Sequence, residues 1–218
     1  VKQSNLKIKS YLLQTYKGGV GYNFNANAFY VEPFKKMKFL SSPYLKLIKD
    51  FNFSLFPNSI AVRGDLDRRF MRTELRSSTK DLQIAMAPFF EKYFTFNRNY
   101  DIRWNLTQNL ALDYNATSYS IIDEPEGDIN TQQKKDSIIA NLKKLGRMKN
   151  FNQRLGANYR IPIDKIPFLD WCKLEGRYAA TYTWTAGAVG QSDTLGNLIK
   201  NSSEQGINGK IDLLGLYN

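Results

Sequence analysis

Residues 98–120 read RNYDIRWNLTQNLALDYNATSYS, and this stretch decides the fold. Its even-numbered positions are mainly aliphatic or aromatic, whereas its odd-numbered positions are mainly amide, hydroxyl or charged. A period of two is that of a β-strand, whose successive side chains point to opposite faces. Between the two runs, Thr107–Asn109 predicts a three-residue hairpin loop, with Asn109 left-handed and Leu106 facing Leu110.

Each arm of this hairpin continues for about ten residues or more, whereas ordinary strands have about 5 to 6. A strand that crosses an outer membrane needs about 9 to 11 tilted residues, with its apolar side chains in lipid and its polar side chains inside the barrel. The pattern therefore predicts an all-β fold, an antiparallel transmembrane β-barrel wall with about eight strands of a larger barrel.

The same alternation assigns side chains of the other predicted strands to two faces. The residues predicted to face the lumen are Asn23, Asn25, Asn27, Arg63, Asp65, Asp67, Arg69, Asp101, Arg103, Asn105, Asp113, Asn115, Arg154, Asn158, Lys173, Glu175 and Arg177. Those predicted to face lipid are Tyr22, Phe24, Ile60, Val62, Ile102, Trp104, Leu106, Leu110, Leu112, Tyr114, Leu155, Tyr159, Leu174, Tyr178, Tyr182 and Trp184.

Turns and loops are expected where the alternation stops. Lys17–Gly19 is predicted to turn the chain between a strand at 6–16 and another at 20–30. Residues 187–205 are predicted as a polar loop before a last strand at 207–217.

Residues 123–150 form a long predicted loop that carries one short helix. Ile138, Ile139, Leu142, Leu145 and Met148 share a helical face, Asn130 or Thr131 is a candidate N-cap, and Gly146 marks the end. Long loops of outer-membrane barrels are extracellular and short turns periplasmic, so this loop is expected outside and the turns at Gln108 and 162–170 in the periplasm. The 218 residues are otherwise expected to form one contiguous segment without an internal domain boundary.

Composition excludes several classes of function. There is no His and one cysteine, Cys172, which excludes a disulfide framework, a Cys/His metal site and His-based catalysis within the segment. The net charge of +11 is typical of nucleic-acid binding, but the aromatic residues alternate onto the face opposite the charges. Base stacking and phosphate contacts therefore cannot share one surface, which argues against a nucleic-acid partner.

Two carboxylate groups allow further interpretations. Asp65 and Asp67 are explained more simply by pairing with neighbouring arginines than by catalysis. The acids of residues 123–128 leave calcium binding open as one interpretation. Because they lack EF-hand spacing, a solvated loop is the simpler explanation. We expect neither enzymatic activity nor a cofactor.

Several stretches, in their order and combination, resemble the SprA (Sov) family, the outer-membrane translocons of the Bacteroidota type IX secretion system. They are Phe51-Asn52-Phe53 with Pro57-Asn58-Ser59, residues 94–100, 104–107, 145–147, 166–171 and 182–184, and Gly196-Asn197 through Leu216-Tyr217-Asn218. The likeness spans nearly all of the 218 residues and only a small part of such a translocon.

The resemblance implies that the chain is part of an outer-membrane channel that exports folded cargo proteins. It further implies a barrel of about thirty-six strands, the largest size known. The implied partners are PorV at a lateral opening and a periplasmic plug protein, besides cargo and the lipid bilayer. The residues by themselves leave two alternatives open, a complete eight-stranded outer-membrane barrel with a structural or binding role, and a soluble β-sandwich binding module.

Overall fold

The computed structural model of the protein describes residues 8–37, 42–76, 86–166, 169, 171–187 and 196–212. Over these residues the fold is all-β, as predicted, and consists of one seven-stranded, mostly antiparallel sheet in the order β1 to β7. The strands are β1 (Ile8–Asn25), β2 (Ser59–Leu75), β3 (Phe89–Asn105), β4 (Leu110–Ile121), β5 (Arg147–Ile161), β6 (Cys172–Thr185) and β7 (Leu198–Ile211). The helices are α1 (Lys46–Lys49), α2 (Gln132–Lys143) and two short 3-10 turns at Pro43–Leu45 and Ile163–Lys165.

The predicted turn at Lys17–Gly19 is wrong, because β1 runs through it without a break. A Cβ on Gly19 would meet the Asp65 carboxylate and would lie 3.2 Å from the carbonyl oxygen of Gly64. The absence of a side chain at this position therefore allows close contact with β2. β1 ends at Asn25, so Asn27 lies beyond the strand, and the alternation does not decide the direction in which its side chain points.

The predicted loop at residues 187–205 is also wrong over its second half, because β7 begins at Leu198. Ser202 pairs with Thr181 and Asn201 with Tyr182, in a continuous antiparallel register with β6. This stretch is polar on both faces, so it has no hydrophobic alternation from which a strand could be predicted. Its backbone pairing with β6 defines it. β7 ends at Ile211, and residues 213–217 of the predicted last strand lie outside the described residues.

The connection between β3 and β4 contains four residues, Leu106 to Asn109, instead of the predicted three. Asn109 is not left-handed. Among the described residues other than glycine, Leu145 alone has a positive φ angle. The Thr107 hydroxyl instead accepts hydrogen bonds from the backbone N–H groups of Asn109 (3.1 Å) and Leu110 (2.8 Å). A side-chain turn at Thr107 therefore replaces the left-handed residue.

The helix predicted within residues 123–150 is present as α2. The Thr131 hydroxyl accepts a hydrogen bond from the backbone N–H of Lys134 and caps its N-terminus. At the other end Leu145 and Gly146 adopt φ angles of 64° and 71°, and the N–H of Gly146 binds the carbonyl of Asn141 (2.9 Å). Because this cap ends the helix, Met148 lies in β5 and does not belong to the helical face.

Contacts divide the chain into two compact units, each described separately below. The first unit comprises Val1–Val20, Gly64–Arg98 and Ser118–Lys149, and the second Gly21–Arg63, Asn99–Thr117 and Asn150–Asn218. In the first unit the buried side chains include Phe70, Phe94, Thr95, Ser120 and Ile122. Within the described ranges, no helix has the length and apolar character to span a membrane.

Candidate functional site: the two faces of the sheet

An apolar face in the second unit brings together residues predicted to face lipid. Leu155 lies opposite Ala180, Ala157 opposite Tyr178 and Phe151 opposite Trp184 in the register of β5 and β6. The rings of Phe151 and Tyr182 are 6.4 Å apart. The Tyr114 hydroxyl extends this face to β4 by donating a hydrogen bond to the Gln153 side-chain oxygen (3.0 Å). Ile102, Leu110, Leu112 and Leu174 are half-buried, and Tyr159 and Tyr178 are exposed.

A polar depression of about 620 Å³ lies in the second unit between residues predicted to face the lumen. The Arg103 and Asp113 side chains are 3.7 Å apart. Gly156 and Gly206 contribute no side chain to the depression. The lining brings together six of the predicted lumen-facing residues, namely Arg103, Asp113, Asn115, Arg154, Asn158 and Arg177.

The remaining predicted residues lie along the strands without forming one cluster. In the first unit, Asp67 pairs with Lys17 (3.0 Å), which confirms that this carboxylate has a cationic partner, although the partner is a lysine of β1. Asp65 and Arg69 belong to β2 of the same unit. In the second unit, the residues on the exposed surface are Tyr22, Asn23, Phe24, Asn25, Val62, Arg63, Asp101, Asn105, Lys173 and Glu175, and Ile60 is half-buried.

Trp104 and Leu106, both predicted to face lipid, contact a segment that the sequence analysis did not assign to the site. The indole N–H of Trp104 donates a hydrogen bond to the carbonyl of Ser54 (3.0 Å). The N–H of Ser54 in turn binds the carbonyl of Leu106 (2.8 Å), and Leu106 itself lies past the end of β3. The Asn52 side chain accepts from the backbone N–H of Gln108 (2.7 Å). These bonds attach residues 52–54 to the hairpin turn, so this end of the hairpin is covered by protein.

The first unit contains an ionic cluster that the sequence analysis missed. Arg68 forms an ion pair with Glu124, whose side chain is 3% exposed. The ammonium group of Lys92 donates to the carbonyl oxygens of Pro125 and Gly127. Arg98 donates to the hydroxyls of Ser118 (2.7 Å) and Ser120 (3.0 Å) on the next strand. Even-numbered positions of β2 and β3 therefore carry charges here.

The signal for this cluster was present in the sequence. Arg68 and Arg72 stand at even-numbered positions of β2, in phase with Leu66 and Phe70, where the alternation calls for apolar residues. A long cationic side chain in an apolar phase needs a partner, because a desolvated charge is unfavourable without one. The acidic stretch 123–128 supplies partners to both, since Asp128 lies 3.8 Å from Arg72.

The acidic stretch 123–128 is bound to cationic side chains. Asp123 accepts two hydrogen bonds from Arg147 (2.8 and 3.0 Å), and this interaction lowers the pKa of the Asp123 carboxyl from its ordinary value. Over the part of the chain that the structure describes, no three His, Cys, Asp or Glu residues come together in a way that would hold a metal ion. The carboxylates of Asp123, Glu124 and Asp128 therefore act as partners of arginines, and the lysines bind backbone carbonyls of the same stretch.

α2 packs against the sheet within the first unit. Ile138 and Leu142 line the same cavity as Phe70 of β2 and Phe94 of β3. The Asn141 side chain also donates to the carbonyl of Asp123 (2.8 Å). We call residues 122–146 the strap, because they start at the end of β4 and contact β3 and β2 before returning to β5.

Comparison with known proteins does not assign the chain to a family. No model of a protein family matches the sequence, and no curated protein matches it either.

Proposed function

We propose that this chain forms part of the wall of a protein-conducting channel in a bacterial outer membrane, of the type IX translocon kind. The observation that carries the proposal is the length of its strands, together with the separation of polar from apolar side chains from β3 to β6 in the second unit. The seven strands contain between 12 and 18 residues, and about 9 to 11 tilted residues span a bilayer. Neighbouring strands along the chain are neighbours in the sheet, which is the up-and-down order of membrane barrels.

The exposure of the edge strands supports a wall that continues on both sides. All 14 residues of β7 are exposed, and so are 17 of the 18 residues of β1. In a bilayer each unsatisfied backbone group costs several kcal/mol. Both edges therefore pair with further strands in the proposed channel.

The chemistry of each face fits the proposed transport. Asn, Arg and Asp side chains such as those around the depression at Arg103 and Asn158 hold water, so a passing polypeptide meets little apolar surface to which it would adhere. Tyr114, Leu155 and Tyr178 on the other face offer apolar area and aromatic rings to lipid. Cargo, PorV and a periplasmic plug protein are the partners that the resemblance to the SprA family suggests.

Site-specific photo-crosslinking in the full-length protein, in actively secreting cells, tests the proposal. A benzoylphenylalanine at Asn158 and one at Tyr159 form a matched pair, because the two residues are adjacent in β5, both exposed, and point to opposite faces. We expect Asn158 to trap exported polypeptides and Tyr159 to trap lipid. Polypeptide adducts at Tyr159 but not at Asn158 would show that the face of Tyr159 lines the channel, contrary to the assignment proposed here. Absence of polypeptide adducts at both sites during active secretion would contradict the channel.

A further inference from the structure

A cleft of about 450 Å³ lies in the second unit, on the tyrosine-bearing face of β4 to β7. Ala180 lies opposite Leu155 of β5 and opposite Ser203 of β7, so two small side chains meet at its floor. Tyr178 and Tyr182 stand on the same face of β6 on either side of Ala180, with their Cα atoms about 13 Å apart along the strand. The cleft is therefore a gap between two aromatic side chains.

The polar groups of the cleft are amides and hydroxyls. Gln153 and Asn201 line it with amides, and Ser203 lines it with a hydroxyl. The Tyr114 hydroxyl donates a hydrogen bond to the Gln153 side-chain oxygen (3.0 Å), which fixes the orientation of this amide. The residues that line the cleft, all in the described parts of these four strands, are uncharged. The lining therefore favours a neutral ligand over an ion.

A neutral saccharide matches this combination of groups. Each hydroxyl of a sugar can donate and accept, and an amide offers both donors and an acceptor to two adjacent hydroxyls. The C–H groups on the face of a sugar ring carry a slight positive charge, so they pack against the negative face of an aromatic ring. Small-ligand pockets have volumes of about 300 to 1,000 Å³ and mainly apolar walls with a few polar groups. The cleft has this size and this kind of lining.

The sequence of β7 provides an independent second observation. Asn201, Ser203 and Gln205 occupy three successive positions on this face of the strand, between Ile199 and Ile207. In the proposed channel this face meets the membrane, where an amide or hydroxyl without a hydrogen-bond partner is unfavourable. This step rests on the proposed function. A hydroxylated ligand offers these side chains hydrogen bonds that lipid chains cannot make.

We propose that this cleft binds a neutral mono- or disaccharide. A sugar ring lies between Tyr178 and Tyr182 above Ala180, and its hydroxyls bind the amides of Gln153 and Asn201. The head group of a glycolipid and a soluble or protein-linked sugar present the same chemistry to the cleft. The site is an exception to the lipid contact proposed for the rest of the apolar face.

Saturation-transfer difference NMR on the full-length protein in phosphatidylcholine nanodiscs tests this site. The probes are maltose, lactose and mannobiose, which are neutral disaccharides. We expect at least one of them to receive saturation at its ring C–H groups and to give a dissociation constant on titration. Absence of binding by all of these sugars would overturn the proposal.

Substitutions in β7 test the location of the bound sugar. Asn201→Leu removes an amide and should weaken binding about threefold to tenfold, the effect of one hydrogen bond. Ser203→Trp fills the floor of the cleft and should abolish binding. As controls, Asn208→Leu makes the same change on the opposite face of β7, and Ile207→Trp adds an indole to an exposed position of the same face outside the lining.

Both control variants should bind the sugar like the wild type. The site is wrong if Asn201→Leu weakens binding no more than Asn208→Leu does. It is also wrong if Ser203→Trp binds the sugar as well as Ile207→Trp does.

The lipid composition of the nanodiscs distinguishes the sources of the sugar. Glucosyl diacylglycerol tests a lipid-linked sugar, and diacylglycerol is its control without a sugar. Displacement of the disaccharide by glucosyl diacylglycerol alone supports the proposal and identifies a glycolipid head group, whereas displacement by neither lipid supports a soluble or protein-linked saccharide. Equal displacement by diacylglycerol would overturn sugar recognition in favour of an apolar ligand. These measurements involve no secretion, so their failure leaves the cross-links at Asn158 and Tyr159 as a separate test of the channel.

Discussion

Arg68 and Glu124 form an ion pair across 56 positions of the sequence. The Glu124 side chain is 3% exposed and that of Arg68 is 24% exposed. The Arg68 guanidinium also lies over the rings of Tyr16 (5.9 Å) and Phe94 (5.8 Å). This pair attaches the strap to β2, so we expect its loss to destabilise the first unit as a whole.

Glu124→Gln is predicted to destabilise the protein by about 2 to 4 kcal/mol. Removing one member of a buried pair leaves the other charge uncompensated, at about 3 to 5 kcal/mol, and the partial exposure of Arg68 reduces this penalty. Urea unfolding in bilayers measures the change. Glu126→Gln, at an exposed position of the same stretch, is the control and should stay within about 0.5 kcal/mol of the wild type. Equal effects of the two substitutions would show that the pair has no special role.

Gly146→Ala is predicted to destabilise the protein more than Gly127→Ala. Both glycines have positive φ angles, 71° and 70°, so both substitutions place an L-residue in the left-handed region at about 1 to 2 kcal/mol. The Cβ at position 146 would also lie 2.7 Å from the carbonyl oxygen of Ile121 and 2.6 Å from Ile122, whereas at position 127 it meets only the Lys134 ammonium at 3.7 Å. The difference between the two unfolding free energies isolates this steric effect, and equal values would contradict it.

Leu112→Arg and Asn115→Arg are predicted to differ, because they belong to opposite faces of β4. If Leu112 meets lipid near the middle of the bilayer, the arginine should cost about 2 to 4 kcal/mol, whereas Asn115→Arg should be nearly neutral on a hydrated face. Folding of the full-length protein into vesicles measures both. Equal tolerance would contradict the lipid contact of this face.

Acidification is predicted to release the strap from β5. Because the Arg147 hydrogen bonds lower the pKa of Asp123 from its ordinary value of 3.8, the ionised carboxylate stabilises the fold above that value. The stabilisation is lost as the pH falls through the lowered pKa. Both side chains are about half exposed, so the effect should be below about 1 kcal/mol.

Hydrogen exchange of residues 122–146, corrected for intrinsic rates, measures this release. The wild type should exchange more slowly than Asp123→Asn at neutral pH and should approach that variant well below pH 3.8. Asp136→Asn serves as the control, since Asp136 is exposed and accepts a hydrogen bond from Gln132 of the same helix. A wild type that already matches Asp123→Asn at neutral pH would show that the pair does not hold the strap.

The sequence predicts those parts of this fold that depend on local alternation. β3, β4 and β6 carry a clear period of two, and α2 has both its N-cap and its terminal glycine, so these elements are found where the pattern puts them. The first part of β7, before the predicted strand at 207–217, does not follow from the pattern, because Asn201 to Gln205 are polar on both faces and only pairing with β6 makes them a strand. Gly18 and Gly19 are predicted as a turn but lie inside β1. A glycine pair has the same sequence signal in both cases, whether it turns the chain or allows close contact with a neighbouring strand.

The candidate site is also predictable from the sequence only in part. Positions such as Arg103 and Asn158 follow from strand alternation, and the structure brings them together. The contacts of Trp104 with Ser54 and of Arg68 with Glu124 join parts of the chain that are about fifty residues apart. No local periodicity encodes such contacts, because they depend on where distant segments cross the sheet.

The strap also has a mechanical consequence. Adjacent strands of a sheet are joined by backbone hydrogen bonds and can slide or hinge against one another where nothing else connects them. Lys92 and Arg68 bind the strap on two successive strands, and the Asp123–Arg147 pair binds it at the start of a third. Any bending between these strands has to break side-chain bonds as well as change the angle of the backbone pairing. We therefore expect the strands that the strap binds to resist bending against one another more than strands that it does not contact.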